Sequence, residues 1–592
     1  MVTYNAPLRD MKFVLDELLG AESLSRLPGF AEATPDLFEA VLSEAAKFCQ
    51  NELLPLNLSG DAEGCQFENG VVRTPKGFKE AYAKFTEAGW TALSGDPAYG
   101  GQGMPHLLQF VVEEMICATN LSFGMYPGLS TGAYNALYQH GTDDLKATYL
   151  PKLVSGEWAG TMCLTEPHCG TDLGLLRTKA EPNDDGSYAI TGTKIFISAG
   201  EHDLTDNILH LVLARLPDAP AGVRGISLFL VPKFLVKDGT VGPRNGAVCA
   251  SIEHKMGIKA SSTCVMNFDG ATGWLVGEAH KGLKCMFTMM NAARLGVGMQ
   301  GLGLAETAYQ TAVAYAKDRR QGKSLDKAKQ GRESADPIIV HPDVRRMLLK
   351  MRSVNEAARA LAYWVGMLLD VAQKDPDAEK RQEADDLVAL LTPIVKGYLT
   401  DHGFEAANLA VQIHGGHGYI HEYGVEQLVR DARITQIYEG TNGIQALDLV
   451  GRKMGQDYGR LLRRFFHPAV AFIEAHQSDP LMVEFVLPFA KALGKLQQAT
   501  AVIAQKGLAK PEEAGAAATD YARMFGLVVF GFLWCRMAKI ALEKQGEDPA
   551  FYGAKLSTAR FFMARVLPEH GSLFIQIMAG GKSLMEMEEA AF

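Results

Sequence analysis

No two of the nine cysteines form a C-x-x-C pair. Neither a disulfide framework nor a zinc site is expected, and the thiols read as reduced core or loop residues. Positive charge is not in excess. The 58 Lys and Arg against 68 Asp and Glu leave a net charge of −10. That argues against a nucleic-acid partner, which needs a basic stripe, while leaving room for local basic pockets that hold phosphates. Long apolar runs are scarce. The longest, residues 524–535, ends at Arg536 and is too short to span a bilayer, so it predicts a buried helix and no transmembrane segment. The first residues carry Asp10 and Asp16 and no apolar h-region, which predicts no secretory signal and, with the reduced thiols, a cytoplasmic location. Fixed-period repeats and low-complexity tracts are missing as well. What remains is a chain of 592 residues, 47% apolar, too long for one core and composed like a soluble multidomain protein.

The periodicity changes along the chain. Residues 37–54, 107–118 and 143–153 repeat apolar side chains at helical spacing, separated by Gly- and Pro-rich loops at 95–103 and 126–128. From Trp158 the segments shorten to 188–190, 194–198, 209–214, 226–231 and 264–268. They are β-branched or aromatic and bounded by turn residues, so they predict antiparallel strands, with a hairpin at Gly192. Helical spacing returns over 284–320, 342–373, 385–414 and 441–453, with a polar loop at 323–336. It continues through 480–505, 511–545, 551–566 and 569–580. The expected class is an α+β multidomain chain. It has an N-terminal helical domain (1–157), a middle antiparallel β domain (158–280), a helical bundle (281–455) and an extra C-terminal helical domain (456–592).

The stretch QIYEGTNGIQALDLVGRK, residues 436–453, sets Glu439 between Tyr438 and Gly440, where an extended segment is expected to give way to a helix. Thr441 suits the helix cap. A general base has to be positioned, and a desolvated carboxylate serves because losing water raises its pKa. Spacing alone leaves two roles open for Glu439: that base, or an ordinary acid stabilising a helix dipole.

Two upstream segments bear on the choice: MCLTEPHCGTD at 162–172 and KIFISAG at 194–200. Together with 436–453 they resemble the acyl-CoA dehydrogenase family, FAD enzymes that oxidise the Cα–Cβ bond of acyl thioesters. Tyr438-Glu439-Gly440-Thr441 matches the family's Y-E-G-T stretch residue by residue. The match implies Glu439 as the base that takes the α-proton while the β-hydride passes to flavin N5. In that scheme the thioester carbonyl lies under the Glu439 backbone N–H and the flavin ribityl hydroxyl. Members with the base on an earlier helix carry it at the position of Ala293, which cannot take a proton.

The same resemblance places Met162, Leu164, Thr165, Phe196 and Ser198 against the isoalloxazine ring, with Met162 replacing the usual aromatic. Gly170 and Thr171 reach phosphates or substrate, and Glu166 shapes the loop. Arg319, Gln412, Gly415 and Gly416 contact the FAD of a neighbouring subunit, and Thr441 joins the cofactor contacts. Thr171, Asn291, Arg294, Tyr438 and Gly440 adjoin the acyl-CoA. Met286–Met290 read equally as core or pocket. The implied electron acceptor is an electron-transfer flavoprotein. The C-terminal block resembles the larger subgroup of the family and implies a homodimer.

The expected reaction is oxidation of medium- to long-chain acyl-CoA to the trans-2-enoyl-CoA, with 3-(methylthio)propanoyl-CoA as the alternative substrate. An acyl-CoA oxidase of the same fold and a non-catalytic binding protein are the alternative classes. GVGMQG at 296–301 fits G-x-G-x-x-G but falls inside a helical pattern, so close helix packing is expected there. The GKS at 322–324 lacks the upstream glycine of a P-loop, since Lys317 stands there. His414, His417 and His421 are interrupted by glycines, so no metal is expected.

Overall fold

The computed structural model describes residues 2–237 and 239–592. They form two compact units. One comprises Met1–Ala46, Pro105–Ala118 and Val297–Phe592; the other comprises Lys47–Met104 and Thr119–Gly296.

The second unit holds the strands. These are β1 (Gln66–Glu68), β2 (Val71–Arg73), β3 (Trp158–Cys163), β4 (Lys179–Pro182), β5 (Tyr188–Ser198), β6 (Asn207–Arg215), β7 (Ile226–Pro232), β8 (Phe234–Lys237), β9 (Thr240–Arg244), β10 (Ala247–Ile252) and β11 (Thr263–Val276). β11, β5, β4, β6 and β7 pair in a closed circuit, with β10 added to β11 and β3 added to β6. β6 and β7 are buried along almost their whole length, so they read as continuous apolar runs without alternation.

Three expectations are corrected here. The sheet is not wholly antiparallel: β3 runs parallel to β6, from Trp158 opposite Asn207 to Cys163 opposite Val212. Gly192 does not turn a hairpin but lies within the continuous strand β5, facing Phe268. A Cβ there would meet Thr178 Oγ1 at 2.4 Å and Thr178 Cα at 2.9 Å, so close backbone approach is what demands glycine. Residues 126–128 are not a loop either. They lie inside the helix Leu121–His140, which Asn120 caps. Pro127 costs that helix one bond to a carbonyl, yet Phe123, Met125, Tyr126, Ala133 and Leu137 are all buried, and their packing outweighs the loss.

The first unit is helical. Its long members are Pro342–Lys374, Ala378–His414, Val483–Ala509 and Pro511–Lys544. Pro511–Lys544 is long and apolar enough by length and composition to cross a membrane, more than the 524–535 run suggested, but 78% of its apolar window is buried inside the fold. The glycines of GVGMQG lie within the helix Gly282–Asp318. A Cβ on Gly298 would meet Val395 Cγ1 at 2.5 Å, and one on Gly301 would meet Leu399 O at 2.5 Å, so these residues let two helices pack closely. The N-terminal segment docks on the C-terminal block. The Phe13 and Phe551 rings lie 5.6 Å apart, and Lys555 pairs with Asp10 and with Glu356. Arg359, 1% exposed, is held by Asp10 at 2.5 Å, Glu114 at 2.6 Å and Glu306 at 3.0 Å.

Candidate active site

In the strand-bearing unit, β3 carries half-buried Met162 and runs into a loop through Leu164 and Thr165. β5 straps that loop down. Ile195 N donates to Thr165 O at 2.9 Å, and Lys194 Nζ donates to Leu164 O and to Glu166 Oε1, both at 2.9 Å. Glu166 also accepts from Thr178 Oγ1 (2.6 Å), Thr178 N (3.0 Å) and Arg177 N (2.7 Å). Burial alone would raise the Glu166 carboxyl, but the Lys194 charge and these donors outweigh it and hold the group at about 2. Burial lowers the Lys194 ammonium, an effect Glu166 opposes. At about 2 the Glu166 carboxyl is ionised at neutral pH. Beyond Glu166 the chain turns back, with Glu166 and Cys169 exchanging backbone bonds, and leaves Gly170 and Thr171 exposed.

Phe196 owes its position to a β-bulge. Between the Lys194–Met266 and Ile197–Cys264 pairs, β5 has two residues where β11 has one. Phe196 takes φ +59°, rare for a non-glycine residue, and the residue is 60% exposed. Ser198 is half-buried opposite Thr263. On the helix of the same unit, Arg294 is buried and donates to the exposed Asn291 at 3.2 Å. Met286 and Met289 are core residues, while Met290 is half-buried.

In the helical unit, Glu439 does not follow an extended segment, contrary to expectation. The helix Val425–Thr435 ends just before it, and Ile437 N and Tyr438 N both bond back to Ile434 O. The chain then turns through Glu439 (φ +57°) and Gly440 (φ +83°). Thr441 caps the helix Asn442–Asp448 by accepting from Ile444 N at 3.4 Å. Glu439 therefore stands outside the helix, before its cap, and the dipole-stabilising role does not describe it. The Tyr438 hydroxyl donates to Gln300, and burial pushes its pKa well up.

Two residues of the following helix hold the turn, Asn442 through its backbone N–H and Gln445 through its side chain. Asn442 N donates to Gln436 O at 3.1 Å. Its side chain accepts from Lys396 Nζ (2.8 Å) and donates to Asp401 Oδ1 (2.7 Å) and Gly397 O (3.1 Å). Gln445 Nε2 donates to Glu439 O at 3.3 Å and Gly440 O at 3.2 Å. The sequence reading missed Gln300, Asn442, Lys194 and Gln445. An uncharged polar side chain at a buried position of an apolar helix was the available signal for Gln445.

Arg319, Gln412, Gly415 and Gly416 are all exposed, and a Cβ on either glycine would meet nothing within 4 Å. Beside them the Tyr315 and His414 rings stack at 4.1 Å. The three histidines take separate partners: His414 Nδ1 donates to Ala410 O, His417 Nδ1 bonds Tyr315 Oη, and His421 Nδ1 bonds Glu426. Elsewhere Glu166, His168 and Cys169 bring ligand atoms within 4.8 Å of one another, but Lys194 already neutralises that carboxylate. An exposed aromatic ring beside half-buried Met162, Leu164 and Thr165 suits the face of a flavin. Exposed glycines near an arginine suit a closely approaching pyrophosphate.

Family models match the chain in succession: "Acyl-CoA dehydrogenase, N-terminal domain" at 36–157, "middle domain" at 161–271, "C-terminal domain" at 280–454, and "Acetyl-CoA dehydrogenase C-terminal like" at 465–588. The chain is 45% identical to the 3-methylmercaptopropionyl-CoA dehydrogenase of Ruegeria pomeroyi, over 99% of both chains. It is 33% identical to the broad-specificity linear acyl-CoA dehydrogenase FadE5 of Mycobacterium tuberculosis, over all of both. A solved acyl-CoA dehydrogenase from Bacillus anthracis, complexed with FAD, shares the fold with a TM-score of 0.76 at 22% identity, covering 96% of this chain and 91% of that one.

Proposed function

The chain belongs to the acyl-CoA dehydrogenase family, FAD-dependent oxidoreductases acting on CH–CH bonds, and on that premise we propose that it oxidises 3-(methylthio)propanoyl-CoA to the trans-2-enoyl thioester. The observation that carries this reading is the 45% identity, over practically the whole of both chains, to a dehydrogenase of that substrate. FAD, when bound, supplies the acceptor for the β-hydride, which carries both electrons of the oxidation. The substrate's sulfur lies on the β-carbon, where its lone pair favours hydride departure, while the thioester acidifies the α-C–H.

Glu439 takes the α-proton, and its backbone N–H donates to the thioester carbonyl, where negative charge develops. Phe196, Met162, Leu164, Thr165 and Ser198 hold the flavin ring. Gly170 and Thr171 reach phosphate or substrate. Thr171, Asn291, Arg294, Tyr438 and Gly440 adjoin the acyl-CoA. The exposure of Arg319, Gln412, Gly415 and Gly416 supports their assignment to the cofactor of a second subunit, which makes a homodimer the working unit. Electrons leave to an electron-transfer flavoprotein.

A second reading, oxidation of straight medium- or long-chain acyl-CoA, draws on the full-length likeness to a broad-specificity linear acyl-CoA dehydrogenase. Comparing kcat/KM for 3-(methylthio)propanoyl-, butyryl-, octanoyl- and palmitoyl-CoA with an artificial electron acceptor decides between them. The thioether substrate is expected to rank first. Octanoyl- or palmitoyl-CoA ahead of it would establish the second reading instead. Stoichiometric peroxide from air-saturated buffer would make the protein an oxidase.

A further inference from the structure

We propose that Gln445 is a positioning residue for the reaction, holding Glu439 in its working conformation. The inference rests on Glu439 being the base. The Gln445 side chain is buried at 1% exposure on the first turns of the helix Asn442–Asp448. Its amide nitrogen reaches two successive backbone carbonyls, Glu439 O at 3.3 Å and Gly440 O at 3.2 Å. Of the two ends of the amide only the NH2 can donate to carbonyl oxygens, so the side chain must present its nitrogen to both.

Those two carbonyls define the peptide planes that follow Glu439 and Gly440. Fixing both planes fixes the torsions of Gly440 between them, and the first plane contains the Glu439 Cα, so the point from which the Glu439 side chain leaves the turn is held in place. The conformation being held, φ +57° at a non-glycine residue, is one the chain does not take up unaided. Asn442 anchors the other end of the turn through Gln436 O, but touches neither Glu439 nor Gly440. A second observation sets Gln445 apart from an ordinary core residue. Its Oε1 is buried and accepts no hydrogen bond among the described residues. An apolar residue would avoid that buried acceptor, so what glutamine contributes here is its donor.

The test is stopped-flow bleaching of FAD in the reconstituted holoenzyme by saturating 3-(methylthio)propanoyl-CoA. Gln445→Met keeps the length of the side chain and removes the donor. It is expected to slow bleaching about 10- to 100-fold, the range for a catalytic group displaced by a fraction of an ångström to an ångström. FAD stoichiometry should stay at one per chain. The acid limb of the bleaching-rate profile, set by the base, should move from its native position.

Gln445→Glu is the second variant, and carries the test if Gln445→Met does not fold. It should be slow at pH 8, where the new carboxylate faces two carbonyls, and recover as the pH falls and the neutral acid donates one bond. That direction is opposite to the native enzyme's. Bleaching within two-fold of native, with an unmoved pH profile, overturns the proposal. So does a slower rate matched by equal losses of FAD and thermal stability. Glu439→Gln serves as the control. If it bleaches at the native rate, the base assignment has failed. If it is inert while the Gln445 variants behave as native, only the positioning role has failed.

Discussion

Phe196 and Glu439 are both non-glycine residues at φ near +58°, one in each compact unit, yet they are held by opposite chemistry. Around Phe196 the restraint is ionic. Lys194, wholly buried, ties the Leu164 carbonyl and the Glu166 carboxylate to the bulged strand. Around Glu439 a neutral amide, Gln445, bonds the carbonyls of the turn, and Asn442 bonds Gln436 O through its backbone N–H. A buried ion pair commits its surroundings to the fold, because removing one partner strands a charge. A neutral amide can be removed at far smaller cost to folding, so geometry there is separable from stability. The acid turn is built so that a change in chemistry need not be a change in fold, whereas the Lys194 strap is not.

The largest effect expected follows from that separation. Glu439→Gln keeps the size of the side chain and leaves both backbone carbonyls to Gln445. Loss of a general base costs about 10²- to 10⁴-fold in rate. The variant should keep its yellow FAD and its melting temperature while bleaching by substrate falls by that factor. An equal loss of stability would erase the contrast between the two regions.

Lys194→Met attacks the other region. Stranding the Glu166 carboxylate is expected to cost about 3–5 kcal/mol of stability, seen as earlier release of flavin fluorescence on heating. The double variant Lys194→Met, Glu166→Gln should regain part of the loss, since no buried charge is left alone. The pH dependence has a defined sign. The Glu166 carboxyl titrates at about 2 in the fold, below its ordinary value of 4.5. Its contribution is therefore complete above about pH 4.5 and disappears as the pH falls toward 2. Native protein should lose heat stability across that window, and the double variant should lose less. A single variant as stable as native would mean the ion pair is dispensable and the comparison is wrong.

These two regions also differ in how legible they were in the sequence. The long helices announce themselves by period and by caps such as Asn120 and Thr441, and β6 and β7 by unbroken apolar runs. Glu439 stands out through the resemblance of Tyr438-Glu439-Gly440-Thr441 to the family's stretch, since spacing alone left open an ordinary acid near a helix start. The Lys194 strap was hidden for a physical reason. Strict alternation puts Lys194, Phe196 and Ser198 on one face, but the bulge turns Phe196 outward and leaves Lys194 and Ile197 buried. Pro127 and Gly192 misled for a related reason: local punctuation predicts breaks, and tertiary packing ran a helix and a strand straight through them. Gln445 left only a faint mark, one uncharged polar residue on a short apolar helix, because its partners are backbone atoms that have no letter in the sequence.

The smallest effect tests where the two kinds of restraint meet in one side chain. The Thr441 oxygen accepts from Ile444 N, yet its own proton remains available to donate, so the residue can cap a helix and contact a cofactor at once. Thr441→Ala should cost about 1 kcal/mol of stability, the usual value for a lost cap. The bleaching rate should change no more than about three-fold, since Gln445 and Asn442 still hold the turn, and 1.4 kcal/mol is needed for a tenfold change. Thr441→Asn restores a good cap without the hydroxyl, so the stability should return. Faster FAD release that persists in both variants is the expected mark of a hydroxyl contact to the cofactor. If asparagine restores flavin retention together with stability, Thr441 acts through the helix alone, and its place among the cofactor contacts is lost.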